Sequence, residues 1–563
     1  MFTQRWATSE RKYGVAQLDG DVYRPDGPAR TASGKFPVIL GAHPYNKDLQ
    51  SGPMLPVGFT PMRGYMESGD PTFFARRGYV HAVFNVRGTG KSEGFYQLIG
   101  KQEVQDTVDL IDWLAEQPWS DGNVAMFGVS YFARIAKFTA ARNPKPLKAI
   151  FAPFAGTDYY RHSWYHGGIL AHSFLTHWRN SLHHPKIRSF YKETIGEDAY
   201  QLAVGRAMQD EEIMAVPALR EALQHPDQGT NPLLVDVVLN PLDGAFYADR
   251  SSDDREAKVP AYLGACWGNY PLHLPGAFTA WRDWGGPKKM VVGPGIYLDR
   301  PLYQYQDLAI RWFDYWLKGI ENGAMDDPPI RCFIPPSGEW KCLEHWPAPE
   351  TTWMSFYLHR DGLLSEHELW PGEGVDSFDE SSFEHGSLTY ATPPLVENTE
   401  LLGTSVVTLY VSSTQPEALI FATLLLIDRD GHEHELTRGW LRASQRKLRA
   451  DSLPWEPVLA HDERQPLEPG KVYELKFPIV PTGRLFQAGE RIAIRIKGAD
   501  DEPPKNALQS IARNHVRLAK PARITIHHDE TYASHVDFPI TRGNIIGTYI
   551  SGGDIESSFG LSH

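Results

Sequence analysis

The sequence lacks the features expected of a protein that binds nucleic acid, crosses a membrane or depends on disulfides. It carries 69 acidic against 56 basic residues, a formal net charge of −13, with no Lys/Arg-rich block, which argues against nucleic-acid partners. Segment 1–14 has no apolar stretch of signal-peptide type, and no run is long enough to span a membrane. We therefore expect a cytoplasmic protein without a membrane partner.

Cysteine is scarce as well. Cys266, Cys332 and Cys342 lie outside any CxxC spacing, so neither a disulfide framework nor a zinc site is expected, and we predict that all three are small core residues. Segments 432–435 and 527–530 are rich in His and acidic residues, but each lacks a second ligand cluster, so no metal is predicted. No dinucleotide fingerprint is present, and we expect no cofactor.

The sequence has ample material for large cores. With 563 residues, 42% of them hydrophobic and 12% aromatic, two or three domains and an aromatic-lined pocket are expected. The acidic balance favours an uncharged or mildly cationic small organic molecule as substrate. Self-association into a homo-oligomer is left open.

The first part of the chain shows the pattern of a parallel sheet covered on both faces. Short apolar runs at 36–42, 79–86, 123–127 and 147–152 alternate with helical segments. Val104, Val108, Ile111 and Leu114 recur at helical spacing between the second and third runs. This part is predicted to be built from βαβ units.

Two changes of pattern divide the rest of the chain. Segment 154–254 is predicted to be an inserted helical cap, with helical stretches at 159–178 and 211–224. Strands at 259–266 and 289–293 and a helix at 307–318 resume the first pattern, so 1–153 and 255–345 form one domain. Residues 346–563 contain short alternating strands at 405–411, 471–477, 491–497 and 522–527, which indicate an all-β jelly-roll sandwich.

Ser130 stands in a strand-to-helix turn, Gly128-Val129-Ser130-Tyr131, typical of a nucleophile elbow. Such a turn lifts the serine hydroxyl out of the sheet and needs small flanking residues. The glycine usual two residues after the serine is replaced by Phe132. Taken alone, the pattern is incomplete.

Six segments together resemble the cocaine-esterase and X-Pro dipeptidyl-peptidase-like (CocE/NonD) family. The resemblance covers nearly the whole chain and rests on the stretches HPYNK at 43–47, VRGTGKSEG at 86–94, QPW at 117–119, GVSY at 128–131, FDYWLKG at 313–319 and GWLRAS at 439–444. It implies an α/β-hydrolase fold with an inserted helical cap and a C-terminal all-β jelly-roll domain. It also implies that Ser130 is the nucleophile, with the Tyr45 hydroxyl and the Tyr131 main-chain N–H as oxyanion hole.

The triad positions depart from that family. Asn269 stands where the aspartate is expected, and Tyr297 where the histidine is expected. Loss of the histidine costs a serine protease about 10⁶-fold in turnover. An asparagine in place of the aspartate costs about 10⁴-fold. Hydrolysis by the usual relay is therefore not expected.

Three interpretations remain open. First, another histidine replaces the base: His43, His273, or one of the cap residues His162, His166, His172 and His177. Second, Ser130, Tyr297 and Asn269 form a polar cluster for a non-hydrolytic lyase or cyclase reaction of a secondary-metabolite pathway, such as proton transfer, retro-aldol cleavage, elimination or cyclisation. Third, the chain is a pseudoenzyme that keeps only the binding cavity.

The reaction most continuous with the predicted fold is hydrolysis or transfer of an ester or amide acyl group from Ser130. The non-hydrolytic reaction fits the sequence almost equally well. The substrate is expected in the cleft between sheet, cap and sandwich. Its walls would include Trp164, Tyr165, His166 and Trp267.

Overall fold

The computed structural model describes residues 2–11, 14–25, 34–50, 67–294, 301–367, 369, 372–380, 386–500 and 514–543. Two large sheets organise these residues, one formed by strands up to residue 343 and one by strands from residue 352 onwards. No helix among these residues is long and apolar enough to cross a lipid bilayer.

The N-terminal elements form the first half of a ten-stranded sheet and its covering helices. Strands β3 and β4 are buried along their whole length, as expected for central strands covered on both faces. The elements in chain order are β1 (Phe2–Arg11), β2 (Gly14–Tyr23), β3 (Phe36–His43), α1 (Lys47–Gln50), α2 (Pro71–Arg76), β4 (Val80–Asn85), α3 (Lys101–Ala115), β5 (Ser120–Phe127), α4 (Tyr131–Ala140) and β6 (Leu147–Pro153).

A mainly helical segment follows β6. Its elements are β7 (Tyr165–His166), β8 (Ile169–Leu170), α5 (His172–Trp178), α6 (Phe190–Ile195), α7 (Glu197–Ala207), α8 (Glu211–Met214), α9 (Pro217–Gln224), α10 (Asn231–Val238) and α11 (Ala245–Ala248). The predicted helix at 211–224 is two helices, because Pro217 holds the preceding residue extended.

The predicted helical stretch 159–178 was largely wrong. Only α5 is an α-helix there; a π-helical turn at Tyr160–Trp164 and the β7–β8 ribbon precede it. Gly167 and Gly168 make the ribbon's turn with φ of 55° and 87°, which a helix does not permit.

The ten-stranded sheet is completed by elements that follow the helical segment. These are β9 (Ala261–Cys266), α12 (Leu274–Asp283), β10 (Lys288–Gly293), α13 (Pro301–Lys318), β11 (Ile330–Ile334) and β12 (Glu339–Leu343). The strand order is β1-β2-β4-β3-β5-β6-β9-β10-β11-β12, parallel from β4 to β11. Because β6 pairs directly with β9, the helical segment is an insertion between neighbouring strands, and the carboxyl ends of β3, β5 and β9 share one edge.

The C-terminal part is all-β, as predicted, with its own buried core. Its jelly-roll topology and the domain boundaries at 153, 254 and 345 stay predictions. The strands are β13 (Thr352–His359), β14 (Leu363–Ser365), β15 (Val375–Asp379), β16 (Ser387–Ala391), β17 (Thr399–Gly403), β18 (Val406–Ser413), β19 (Leu419–Ile427), β20 (Glu433–Arg442), β21 (Tyr473–Pro478), β22 (Thr482–Phe486), β23 (Arg491–Lys497), β24 (Arg523–His527) and β25 (His535–Arg542).

Two of the three cysteines lie in the core. Cys266 and Cys332 are buried, as predicted, whereas Cys342 is exposed and that prediction was wrong. Cys342 lies on β12, the last strand of the sheet, where alternate side chains face outward.

Candidate active site

Ser130 sits in a strained turn between β5 and α4. Its backbone has φ 57° and ψ −119°, a conformation costly for a non-glycine residue and typical of functional positions. The turn is tight: a Cβ at Gly128 would lie 2.3 Å from the Phe132 Cβ and 2.8 Å from the Glu67 carbonyl oxygen. Glycine is therefore required at 128, and the turn has the geometry expected of an elbow.

Phe132, the departure from the usual elbow glycine, is accommodated by a glycine on the neighbouring strand. A Cβ at Gly41 of β3 would lie 3.1 Å from the Phe132 ring and 2.4 Å from Ser68 Oγ. The Phe132 ring also stacks on His43, with centroids 4.6 Å apart. The space that the elbow needs is thus provided by the facing strand rather than by position 132.

The structure brings His273 to Ser130. Ser130 Oγ and His273 Nε2 are 3.3 Å apart, and both residues are buried. His273 follows β9 and directly precedes α12, so it reaches the serine from the edge where β5 and β9 end. Of the histidines offered by the sequence as replacement bases, this is the one in contact with Ser130.

Asn269 holds the segment that carries His273. Its Oδ1 accepts the main-chain N–H of His273 at 3.1 Å, and its main-chain oxygen accepts the same N–H at 3.1 Å. The residue at the expected aspartate position therefore fixes the backbone from which the histidine extends. Tyr297, which the sequence placed at the expected histidine position, lies outside the described residues.

His273 is neutral over a wide pH range. Burial, and then the positive charge of Arg134, hold the pKa of His273 well below its ordinary value of 6.5. A carboxylate beside the ring would have the opposite effect on the pKa. A neutral imidazole can accept a proton at Nε2 when Nδ1 carries the ring hydrogen.

Tyr45 and Tyr131 flank the serine and share one contact, the indole of Trp178. Trp178 Nε1 donates to Tyr45 Oη at 3.0 Å, and the indole stacks on the Tyr131 ring with an interplanar angle of 8°. Burial, and then the negative charge of Glu67, raise the pKa of Tyr45, so its hydroxyl stays protonated and available as a donor. Tyr131 is the first residue of α4, where main-chain N–H groups lack an intrahelical acceptor.

The side chain of Tyr131 is held in place by the buried carboxyl of Glu103. Its hydroxyl donates to Glu103 Oε1 at 2.7 Å, and the Tyr96 hydroxyl donates to Tyr131 Oη at 3.0 Å. Burial raises the pKa of Glu103 to about 8, in spite of the Tyr131 hydrogen bond, which lowers it. This network fixes the residue whose main-chain N–H lies beside Ser130.

The cavity at Ser130 is small and aromatic. Its volume is about 20 Å³, room for little more than one water molecule. Both Ser130 and His273 line it, with Tyr45, Leu98, Tyr131, Arg134, Tyr159, Trp164, Phe174, Leu175 and Trp178. The space beside Ser130 in this structure is therefore smaller than an ester substrate.

Only part of the predicted pocket surrounds Ser130. Trp164 lines its cavity, whereas His166 lines a larger cavity of about 340 Å³ and Tyr165 a third one. Trp267 donates its indole N–H to the Phe333 carbonyl and stacks on Phe278. The sequence grouped these four residues by composition. Tyr165 and His166 are successive residues of β7, so their side chains point in opposite directions, and Trp267 lies on a different element, after β9.

The other candidate histidines are engaged elsewhere. His43 packs behind the elbow against Phe132, and burial, then Lys47, lower its pKa to about 3. His162 Nδ1 accepts the Asp158 N–H at 3.3 Å, His166 Nδ1 lies 2.9 Å from His515 Nε2, and His177 Nδ1 lies 2.6 Å from the Ser173 oxygen. Burial lowers the pKa of His172 to about 4.

Among the described residues, one group has the arrangement that could hold a metal ion. It consists of Asp428, Asp430 and His432 in the turn between β19 and β20, largely exposed and in the all-β part of the chain. Exposed acidic groups of this kind are common without a metal. The group has no connection to Ser130.

Two family models match the chain. The model for the X-Pro dipeptidyl-peptidase (S15 family) matches residues 14–298, about half of the 563 residues. This chain belongs to the X-Pro dipeptidyl-peptidase S15 family. The model for the X-Pro dipeptidyl-peptidase C-terminal non-catalytic domain matches residues 322–537, the all-β part of this S15-family chain.

Relatives and solved structures agree with this assignment. The S15-family chain is 26% identical to a putative serine esterase of Mycobacterium bovis, covering 92% of each chain. It is 26% identical to the cocaine esterase of Rhodococcus sp., covering 93% of this chain and 96% of the relative. A crystal structure of a CocE/NonD family hydrolase from Staphylococcus aureus shares its fold, with a TM-score of 0.78 and 24% identity over 96% of this chain and 93% of that one.

These comparisons confirm the predicted family and fold class. The protein is an α/β-hydrolase-fold enzyme of a serine esterase and peptidase family. The sequence interpretation as a pseudoenzyme is therefore not supported. Which residues carry the reaction, and on which substrate, is a separate question.

Arg134 and Glu103 were not predicted from the sequence as site residues. A signal existed for Arg134, a charged residue in the otherwise apolar first turns of the helix after Ser130. Only the tertiary arrangement places Glu103 beside Tyr131, and Trp178 beside Tyr45 and Tyr131.

Proposed function

We propose that this protein hydrolyses an ester or amide through Ser130 as nucleophile and His273 as general base. The observation that carries the proposal is the 3.3 Å contact between Ser130 Oγ and His273 Nε2 at a strained strand-to-helix turn. A serine hydroxyl needs such a neighbour to act as nucleophile. The interpretation that another histidine has replaced the family base is thus the one that the geometry favours.

The contact between Ser130 Oγ and His273 Nε2 gives the hydroxyl proton a direct acceptor. His273 Nε2 takes the Ser130 hydroxyl proton while Oγ bonds to the substrate carbonyl carbon. Collapse of the tetrahedral intermediate breaks the bond to the leaving group, which receives the proton from His273. Water then attacks the acyl carbon while His273 Nε2 takes one of its protons. Collapse of this second intermediate breaks the bond between the acyl carbon and Ser130 Oγ, and the proton passes from His273 to Oγ as the acid product leaves.

The oxyanion is assigned to two donors beside the serine. The Tyr45 hydroxyl accepts the Trp178 indole N–H and is also hydrogen-bonded to the Ser130 side chain, so it lies next to the oxygen that attacks the substrate. The main-chain N–H of Tyr131 is the second donor. Each such donor is worth roughly 10²–10³-fold in turnover.

A fluorophosphonate probe tests the nucleophile and the base together. We expect stoichiometric labelling of the wild type, none of Ser130→Ala, and labelling of His273→Ala slower by roughly 10²–10⁴-fold. His177→Gln, which changes an exposed histidine, is the matched control and should label at the wild-type rate.

Two results would overturn the proposal. Absence of labelling in folded wild-type protein would remove the acyl-enzyme and leave a non-hydrolytic lyase or cyclase reaction as the interpretation. Unchanged labelling of His273→Ala would remove His273 as the base.

A further inference from the structure

Arg134 carries a buried positive charge in the wall of the Ser130 cavity. It lies one helical turn after Ser130, and only 4% of its surface is exposed. No described carboxylate forms a salt bridge with it. Arginine is almost never buried to this degree unless it is paired, because the desolvation of its charge costs several kcal/mol.

The groups in direct contact with Arg134 are neutral. Its Nη2 donates to Ser163 Oγ at 2.5 Å, the guanidinium carbon lies 4.0 Å from the centre of the Tyr159 ring, and the guanidinium is also hydrogen-bonded to the Tyr159 side chain. Its Nε is buried with no hydrogen-bond acceptor among the described residues. Within that part of the chain the guanidinium therefore has an unsatisfied donor and no carboxylate partner.

The backbone makes room for this guanidinium. A Cβ at Gly156 would lie 2.6 Å from Arg134 Nη2, so any larger residue at 156 would displace it. Other buried arginines of this chain do have carboxylate partners: Arg442 pairs with Glu212 and Glu417, and Arg87 with Asp106. In the described ranges of the chain, the lack of a carboxylate partner distinguishes Arg134 from these arginines.

We propose that Arg134 binds a carboxylate of the substrate, so that the substrate class is an ester or amide that also carries a carboxylate. This inference rests on the proposed function of Ser130. A guanidinium binds a carboxylate through two parallel N–H donors, which a neutral polar group cannot match. The overall charge of −13 favours cationic ligands, but the pocket has the opposite local charge.

A second role for the same charge must be separated from this one. Arg134 also lowers the pKa of His273, and that effect is the same for every substrate. Recognition, in contrast, discriminates between substrates that differ only in charge. Paired charged and neutral esters therefore separate the two roles.

Monomethyl succinate and dimethyl succinate are such a pair. We expect the wild type to have a higher kcat/KM for the monoester. Arg134→Gln should lower kcat/KM for the monoester by about 10–100-fold, mainly through KM, because a hydrogen bond to a charged group is lost. The diester should change far less, and Arg134→Lys should fall between.

Arg442→Gln is the matched control, because it removes a buried arginine that already has carboxylate partners. It should change stability and leave the preference between the two esters unaltered. If Arg134→Gln impairs both esters equally, Arg134 acts on the reaction itself and the proposal is wrong.

Binding of succinate to the Ser130→Ala variant tests recognition without catalysis. Isothermal titration should detect binding that is lost when Arg134→Gln is added. Binding to Ser130→Ala together with failed fluorophosphonate labelling of the wild type would keep the carboxylate site and reject the hydrolytic function. Labelling without binding and without ester preference would reject the carboxylate site alone.

Discussion

The indole N–H of Trp178 donates to the phenolic oxygen of Tyr45 at 3.0 Å, while the indole ring stacks on Tyr131. One side chain of α5 therefore touches both residues assigned to the oxyanion hole. Because the Tyr45 oxygen accepts this bond, its hydroxyl hydrogen is directed away from Trp178. Trp178 is thus a positioning residue for the proposed reaction.

Trp178→Phe keeps an aromatic ring but loses the N–H donor. We expect kcat to fall by about 10-fold with KM nearly unchanged, because a misaligned oxyanion donor affects the transition state more than substrate binding. Trp164→Phe is the control, because Trp164 lines the same cavity and its buried indole nitrogen has no acceptor among the described residues. Equal losses in both variants would contradict the positioning role.

The rate of the reaction should not fall near pH 6.5, where an ordinary catalytic histidine becomes protonated. The folded pKa of His273 is depressed, so the neutral base persists as the pH falls below 6.5. For a neutral ester, kcat/KM should stay flat from pH 8 to about pH 5, with folding checked by circular dichroism. A fall in kcat/KM centred near pH 6.5 would show that a histidine with an ordinary pKa is the base.

Asn269 is expected to act through its acceptor oxygen. Asn269→Asp keeps an oxygen for the His273 main-chain N–H and should retain most activity, whereas Asn269→Ala should lower kcat several-fold. KM should change little in either variant. A large gain in Asn269→Asp would instead point to a carboxylate relay at this position, which Asn269→Asp with Tyr297→His would then strengthen.

Glu103 is expected to destabilise the fold at neutral and alkaline pH. The folded pKa of Glu103, about 8, is raised above the ordinary value of 4.5. The protonated carboxyl therefore makes its full contribution to folding stability below pH 4.5, and this contribution is lost as the pH rises through 8. Glu103→Gln should therefore raise the free energy of unfolding at pH 8 by on the order of 1 kcal/mol or more, and by less at pH 5. Urea unfolding at both values measures this.

Asp106 on the same helix provides the control for Glu103. It is paired with Arg87 through bonds of 2.6 and 2.7 Å, so Asp106→Asn should destabilise the protein at both pH values. Equal stability of Glu103→Gln and wild type at pH 8 would show that ionisation of the buried Glu103 carboxyl does not destabilise the fold.

Gly41 and Phe132 should behave as a coupled pair. Gly41→Ala alone is expected to cost about 1–3 kcal/mol by overpacking against both Ser68 Oγ and the Phe132 ring. Phe132→Ala alone opens a cavity and should cost about 3–5 kcal/mol. The double variant should be less destabilised than the sum by at least about 0.5 kcal/mol, measured by denaturant unfolding. Strict additivity would contradict the packing argument.

The sequence predicted the parallel strands well because their apolar runs are continuous. The prediction 36–42 became Phe36–His43, and 491–497 coincides with β23. The N-terminal hairpin β1–β2 was not predicted, since it is an edge addition without a buried apolar run. The π-helical turn at Tyr160–Trp164 could not be predicted either, because its aromatic residues also fit an ordinary helix.

The site was predictable only in part. Ser130 and the fold around it follow from a local motif, whose geometry depends on neighbouring residues in the chain. His273 could be proposed from the sequence but not chosen, because its contact with Ser130 spans 143 positions and depends on how β9 ends. The role of Arg134 could not be predicted, because the lack of a carboxylate beside it among the described residues is a property of its surroundings and not of the helix.

The pairing of Gly41 with Phe132 has a consequence for building chimeric enzymes. The space beneath the serine turn belongs jointly to β3 and α4, two elements separated by ninety or so positions of chain. A graft of α4 from a hydrolase with a small residue after the nucleophile would leave a ring-sized void against Gly41. The two elements therefore have to be exchanged together if the reactivity of the serine is to be carried into a new scaffold.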